Sequence, residues 1–238
     1  MLENILGWLT LIIILSVILF KTKDYDVLKF LLTAFFLRAF LVILDHYYFS
    51  LPGGTLDAKG FVVQAQKISE AHGLTILLNM FQSDSFFISR IISIFFTLTY
   101  KSEMMAQGIS VALGTASVYL VYRLSLLLWN KDAAIKAAWV MSLHPSMVLF
   151  SALVLKEAYV TFFLLITLMP TILLIRKQID TKEIKLKNRR NYLLNNTPIL
   201  VLLIITGFFL LKNIHGGIFI GFFIIIFFLL FHFIQRRI

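Results

Sequence analysis

Long apolar stretches recur along this 238-residue chain, and they constrain its fold more than any other feature. A helix needs roughly 20 mainly apolar residues to cross a bilayer. Seven stretches approach or exceed that length: Asn4 to Phe20, Val27 to Leu44, Met104 to Leu128, Ala133 to Leu155, Ala158 to Ile175, Thr197 to Leu211 and Gly216 to Phe233. The chain is therefore predicted to be an all-α, polytopic transmembrane helical bundle of about seven spans, and its first partner is the lipid bilayer.

The composition excludes several other classes of protein. Hydrophobic residues make up 60% of the chain and charged residues 14%, whereas a soluble domain carries about 25% charged residues. We therefore expect one transmembrane domain over residues 1–238, with no separate soluble domain. Cysteine is absent, which excludes disulfides, thiolate metal sites and cysteine nucleophiles.

The basic residues of the chain predict its topology. The net charge is +10, but Lys and Arg cluster at helix ends and in one loop, so nucleic acid is not an expected partner. The loop 176–196 carries seven of these residues. Because cytoplasmic loops retain Lys and Arg, we assign this loop and the C-terminus to the cytoplasm of a multi-pass cell-membrane protein.

The apolar segment Ser85 to Tyr100 decides where the rest of the chain lies. If it does not cross the membrane, every other basic cluster falls on the cytoplasmic side; if it crosses, Lys21 and Lys23 would face outward. We therefore predict an interfacial or re-entrant helix here. The N-terminus, the long loop 45–103 and the turn between the last two spans then lie outside. The first stretch is kept as a span because Glu3 and the lack of a basic start do not fit a cleaved signal peptide.

The long outer loop contains a predicted amphipathic helix. Pro52 and the two glycines after it interrupt any helix, and beyond Thr55 apolar residues such as Phe61 and Ala65 recur on one face while polar residues occupy the other. Such a helix suits a membrane interface. Asp57 would lie in its first turn, where the helix dipole favours a carboxylate. Asp57 is therefore either a helix-start residue or a chemically active acid.

Arg38 lies within the second span, where a charge is expensive unless it is paired or reaches the interface. It is either a phosphate ligand or a structural partner of Asp45. In the fourth span, Pro145 predicts a kink because it lacks a backbone N–H. The adjacent His144 is expected to pack in the bundle.

Two further sets of charged residues fall at predicted outer ends of spans. Lys156 and Glu157 follow the fourth span and either engage a sugar phosphate or a divalent ion, or mark the membrane boundary. Lys212 and His215 lie in the last outer turn and either bind phosphate or anchor the interface.

Four segments occur in an order that is typical of one enzyme family. They are the arginine-containing span FLLTAFFLRAFLVIL, the loop LPGGTLDAKGFVVQAQKIS, the small-residue region from Ser89 to Trp139, and HPSMVLFSALVLKEAYVTFFLL. Over residues 27–175 the chain resembles the GT-C superfamily of membrane glycosyltransferases, which includes protein O-mannosyltransferases and lipid A aminoarabinose transferases.

The resemblance implies a transfer of sugar from a polyprenyl-phosphate donor to a lipid, glycan or protein acceptor on the outer membrane face. Asp57 matches the family's first-loop aspartate, the general base for the acceptor hydroxyl. Lys156 and Glu157 match the position beside the donor phosphate, and Glu157 joins Asp57 in the predicted catalytic set. Besides Lys156, the residues predicted to bind the donor phosphate are Arg38, Lys59, Arg90, Lys212 and His215. No metal ligand set is predicted, and a requirement for a divalent cation stays open.

The chain also departs from the family pattern. Asp57 is followed by Ala58 instead of a second acid, the chain is short, and residues 1–26 add an N-terminal span. It is therefore a minimal transferase, a subunit that works with other membrane subunits, or a relative without catalysis. The rival hypothesis is a non-catalytic membrane component of lipid-linked glycan assembly or export. A small transporter is less favoured, because few charges lie in the predicted spans.

Overall fold

The structure, a computed structural model, describes residues 2–73, 75, 86–180 and 197–214. Every regular element within these ranges is helical. The helices are α1 (Leu2–Lys21), α2 (Tyr25–Tyr47), a π-helical turn (Gly54–Ala58), α3 (Lys59–His72), α4 (Phe87–Leu98), α5 (Glu103–Leu128), α6 (Lys131–Leu143), α7 (Pro145–Ala152), α8 (Lys156–Asp180) and α9 (Thr197–Ile214). The predicted all-α class is confirmed for this part of the chain.

Four of the described helices are long and apolar enough to cross a membrane: α1, α2, α5 and the part of α8 up to Leu174. The pair α6 and α7 adds a fifth candidate if it is counted as one span broken by a bend of 58°. Helix α9 is apolar but shorter, and the predicted span from Gly216 to Phe233 lies outside the described residues. The structure thus supports a membrane protein with four or five span-length elements in its described part.

Helices α3 and α4 are too short to cross. Helix α4 has 12 residues and is about 18 Å long at 1.5 Å per residue, against a hydrocarbon thickness of about 30 Å. This agrees with the expectation that the segment does not span. Helix α3 packs on α4, and Ala65, on the predicted apolar face of α3, is fully buried. The Ser89 hydroxyl donates to the Phe61 carbonyl at 2.9 Å and joins the two helices.

Polar residues begin three of the helices by binding free backbone N–H groups. The Asp24 carboxylate accepts from the Asp26 N–H at the start of α2. Ser102 accepts from the Met105 N–H before α5, and Asn130 accepts from the Ala133 N–H before α6. These caps divide the apolar sequence into separate helices.

Helix α5 lies at the centre of the first part of the fold, where it contacts α1, α2, α6 and α7. Glycines on or facing α5 allow close approach, as in other membrane bundles. A Cβ atom on Gly108 would lie 2.8 Å from Thr10 of α1, and one on Gly7 would meet the Met104 side chain. The N-terminal helix α1 therefore packs directly on the central helix α5.

The fourth predicted stretch breaks at His144, as Pro145 predicted. The backbone of His144 is extended, and α7 begins at Pro145 with a hydrogen bond from the Val148 N–H to the His144 carbonyl. The expectation that His144 packs in the bundle is wrong, because its side chain is exposed at the break. A residue that leaves the helical path no longer projects from the helix face toward its neighbours.

The chain divides into two compact units, residues 1–165 and 166–238. The first unit holds helices α1 to α7 and the start of α8. In the second unit, α8 and α9 approach closely at Gly207, where a Cβ atom would overlap the Thr167 side chain. A glycine is therefore needed at this crossing.

Candidate functional site

The candidate site is built around Asp45, near the C-terminal end of α2. One carboxylate oxygen of Asp45 accepts from the Leu51 N–H and the other from the Gln107 side-chain amide, both at 2.7 Å. A Cβ atom on Gly54 would lie 2.8 Å from the same Asp45 carboxylate. Asp45 therefore holds the following loop against α2 and α5. We call this end of the first unit the Asp45 end, and the opposite end, where α1 finishes, the Lys21 end.

The loop that Asp45 holds carries Asp57. Gly53 has a φ of 87°, a conformation that favours glycine, and it directs the chain into the π-helical turn. Leu51 and Ala58 are buried, whereas Asp57 is exposed. Asp57 lies in the first turn, as predicted, and neither the turn nor α3 is capped by a side-chain hydrogen bond. The carboxylate is thus displayed at the surface of a loop whose backbone is fixed.

The same loop packs on the chain that leads into Lys156 and Glu157. A Cβ atom on Gly53 would lie 3.5 Å from the Leu155 side chain, and one on Gly54 would lie 3.5 Å from Leu153. Lys156 and Glu157 begin α8 immediately after this contact; Lys156 is exposed and Glu157 is half-buried. The structure therefore brings the loop of Asp57 and the start of α8 together, although they are about 100 residues apart in the sequence.

Lys59 belongs to a separate group of charges at the Asp45 end. The Glu103 carboxylate lies within electrostatic range of Lys59, Asp45, His46 and Glu3. Glu3 accepts from the Glu103 N–H at 3.1 Å, which ties the start of α1 to the start of α5. Nevertheless, in the ranges that the structure describes, no three His, Asp or Glu side chains converge closely enough to hold a metal ion. Lys59 is exposed and remains accessible to an anion, but nearby carboxylates compete for its charge.

Arg38 is enclosed within the bundle and has no exposed surface. Its Nε donates to the Ser151 hydroxyl at 2.7 Å, and one terminal nitrogen donates to the carbonyls of Ala34 at 2.9 Å and Ser142 at 3.4 Å. The other terminal nitrogen has no hydrogen-bond partner among the described residues. Asp45 is not among the hydrogen-bond partners that the described residues give Arg38, and its carboxylate accepts from Leu51 and Gln107. Arg38 therefore acts within the fold here, and a phosphate role for it stays a prediction.

The position of Arg38 explains how a charge is tolerated in a span. In a continuous helix the Ser142 carbonyl would accept from the N–H four residues later, but the break at His144 removes that bond. Arg38 reaches the freed carbonyl and also Ser151 beyond the break. A cavity of about 10 Å³ adjoins it, lined in part by Ser117, Met147 and Thr161. This is roughly the room that one water molecule needs.

The remaining predicted residues lie in different places. Arg90 is buried on α4, on the helix that packs against α3. Lys212 is exposed near the end of α9, in the second unit. His215 lies outside the described residues. Thus the structure groups the segments of Asp57, Lys59, Lys156 and Glu157 at the Asp45 end, and it buries Arg38 and Arg90.

Sequence reasoning missed the residues that position this site. Gln107 is buried and holds Asp45, and the Ser110 hydroxyl lies 3.4 Å from the hydroxyl of buried Tyr159. Gln107, Ser110, Gly114 and Ser117 recur at intervals of three or four residues along α5, which is the spacing of one helix face. That polar and small-residue stripe was the available signal for an inward-facing surface.

Comparisons of the chain with protein-family models, curated proteins and solved structures found no match.

Proposed function

We propose that this chain is a glycosyltransferase of the GT-C type that moves a sugar from a polyprenyl-phosphate carrier to a lipid, glycan or protein acceptor. One observation carries the proposal. The loop that bears Asp57 is fixed by Asp45 and packs on Leu153 and Leu155, just before Lys156 and Glu157. An exposed acid and an exposed cation are thereby supplied by adjoining segments, as a transfer between a hydroxyl and a phosphate ester requires.

The proposed reaction uses these groups as follows. The acceptor hydroxyl oxygen bonds to the anomeric carbon while the bond from that carbon to the donor phosphate oxygen breaks, and polyprenyl phosphate leaves. Asp57 takes the proton of the hydroxyl as general base. Lys156 stabilises the charge that develops on the departing phosphate, while Glu157 orients the sugar or its Lys156 neighbour. Lys59 is a further candidate for phosphate binding, and Arg38 is left out because it is buried.

The proposal includes a topology of about seven spans in the cell membrane. The N-terminus and the Asp45 end face outward, and the loop 176–196 and the C-terminus are cytoplasmic. Support comes from the distribution of Lys and Arg and from the length of α4, which is too short to cross. Exposed Tyr47, Tyr48 and Phe49 at the Asp45 end are of the kind found at membrane interfaces.

A second function is a non-catalytic membrane component that binds a lipid-linked glycan for assembly or export, together with other membrane subunits. It is favoured by the exposure of Asp57, because a catalytic base is usually oriented by a further side chain. In that case the acid and the nearby lysines would bind sugar and phosphate without turnover.

Transfer of radiolabel from polyprenyl-phosphate sugars to membrane acceptors separates these functions. Asp57→Asn should abolish transfer, since an amide cannot take the proton, while it leaves donor binding intact. Glu157→Gln should reduce transfer. The matched control is Asp132→Asn, an exposed acid at the start of α6, which should transfer as the wild type does. Full transfer by Asp57→Asn would exclude it as the base, and donor binding without transfer by the folded wild type would favour the non-catalytic function.

A further inference from the structure

A lateral groove runs between α1, α2 and α5 toward the Lys21 end. Its volume is about 470 Å³, within the range of about 300–1,000 Å³ that is usual for small-molecule sites. The groove is lined mainly by apolar side chains, among them Ile14, Ile18, Leu31, Ala112 and Ala116. Two more lining residues, Val17 and Tyr119, are exposed. In a bilayer such an opening faces the acyl chains.

Small residues on α5 create the groove. Gly7 contacts Met104, and Thr10 contacts Gly108. Helices α1 and α5 therefore run parallel, and a residue of α1 lies level with the residue of α5 whose number is about 97 higher. Further along, Ala112 and Ala116 lie one turn apart on the same face of α5. Because both are small, the two helices leave open space between them.

The groove ends at two exposed lysines that form no ion pair with any residue the structure describes. Lys21 and Lys23 line it and are exposed, and in the described part of the chain the ion pairs of this end join Lys131 to Asp24 and Asp26 instead. The nearby acids are therefore neutralised by a third cation.

A buried hydroxyl also belongs to the wall. By the helix offset, Thr115 lies level with Ile18, about one turn from Lys21. The Thr115 oxygen has no hydrogen-bond partner within the described ranges. Thr115 thus marks the depth, one turn below the two ammonium groups, at which the ester groups of a phospholipid would lie if its phosphate were at Lys21 and Lys23.

We propose that this groove binds an anionic phospholipid of the adjacent leaflet, with one acyl chain between α1 and α5 and the phosphate at Lys21 and Lys23. The groove lies toward the opposite end of α1 from the Asp57 loop. The lipid is therefore a bound partner distinct from the proposed sugar donor, and the inference does not depend on the proposed function.

Native mass spectrometry of the purified full chain tests this inference, with phosphatidylglycerol and phosphatidylcholine of identical acyl chains offered together. The wild type should retain phosphatidylglycerol preferentially. Each basic residue near a membrane surface strengthens attraction to anionic lipid roughly fivefold, so Lys21→Gln with Lys23→Gln should weaken retention of phosphatidylglycerol by roughly 30-fold at low salt. Retention of phosphatidylcholine should stay the same.

Two further variants locate the lipid. Lys67→Gln with Lys101→Gln makes the same change in net charge with exposed lysines away from the groove, and it should bind as the wild type does. Ala116→Phe, or Ala116→Leu if the larger side chain prevents folding, should reduce binding of both lipids by filling the groove. Equal retention of the two lipids by the wild type, or an unchanged preference in the Lys21 and Lys23 variant, would overturn the proposal. So would unchanged binding in a folded Ala116 variant, which would indicate that another part of the chain covers the groove.

Discussion

Gly114→Ala should destabilise the fold, because the packing around Arg38 leaves no room for a side chain there. A Cβ atom on Gly114 would overlap the Ser151 side chain and lie 3.0 Å from Arg38 Nε. Ser151 cannot easily move, since its hydroxyl binds both Arg38 and the Met147 carbonyl. Overpacking of a core costs about 1–3 kcal/mol, and loss of a hydrogen bond to a charged group costs about 1.5–3 kcal/mol. We expect a total of about 2–4 kcal/mol, since the two effects overlap.

The assay is thermal unfolding of the detergent-purified chain. Samples are heated to a series of temperatures, and size-exclusion chromatography measures the folded protein that remains at each temperature. For a chain of this size, 1 kcal/mol corresponds to about 2–4 °C in Tm, so Gly114→Ala should lower Tm by roughly 5–15 °C. The matched control is Gly60→Ala at an exposed position of α3, where a Cβ atom meets nothing within 4 Å. It should be neutral or stabilising, since alanine favours helix by up to about 1 kcal/mol over glycine.

A double variant makes the reasoning specific to Ser151. Ser151→Gly removes the atoms that the new methyl group would strike, so the effects of Gly114→Ala and Ser151→Gly should be less than additive, with a coupling of at least about 1 kcal/mol. If Gly114→Ala is as stable as Gly60→Ala, or if the two changes are additive, the close packing around Arg38 is refuted.

Two further predictions concern the Lys21 end and the topology. Hydrogen bonds from the Asp26 N–H and from Lys131 lower the pKa of Asp24 in the folded protein. The ionised Asp24 carboxylate therefore stabilises the fold above the unfolded-state pKa of about 3.9. This stabilisation is lost as the pH falls through the lower pKa of the folded state. Asp24→Asn should thus lower Tm at pH 7, and its difference from the wild type should shrink as the pH falls below the unfolded pKa; a difference that stays the same at every pH would contradict this. A topology reporter fused after Tyr100 should respond from the outer side, and a cytoplasmic signal would exclude the seven-span arrangement.

The helices were predictable because the signals for them are local. Apolar runs of sufficient length, polar N-cap residues such as Ser102 and the missing N–H of Pro145 act within a few residues of the chain. They fix where α5 begins and where the fourth stretch breaks. The expectation for His144 was wrong because it assumed a continuous helix, in which the His144 side chain would face the bundle. The adjacent Pro145 ends that helix.

The contacts of the candidate site could not be read in the same way. Asp45 binds Gln107 across 62 positions, and Arg38 binds Ser151 across 113. Which helices become neighbours depends on where small residues permit close approach, such as Gly114 against Ser151. Sequence reasoning identified Arg38 as a costly charge, but its alternatives were an anion or Asp45. The Ser142 carbonyl could not be predicted as a partner of Arg38, because it becomes available only when the span breaks.

The bend at His144 connects Arg38 to the candidate site without any direct contact between them. Helix α7 has 8 residues and is about 12 Å long, so a bend of 58° moves its far end by roughly 12 Å from the straight path. That displaced end leads into Leu153 and Leu155, on which the Asp57 loop packs. Arg38 holds Ser142 before the bend and Ser151 after it. By fixing this bend, buried Arg38 can govern where α8 begins with Lys156 and Glu157. The costly charge thus helps to position the candidate site, although Arg38 lies outside that site.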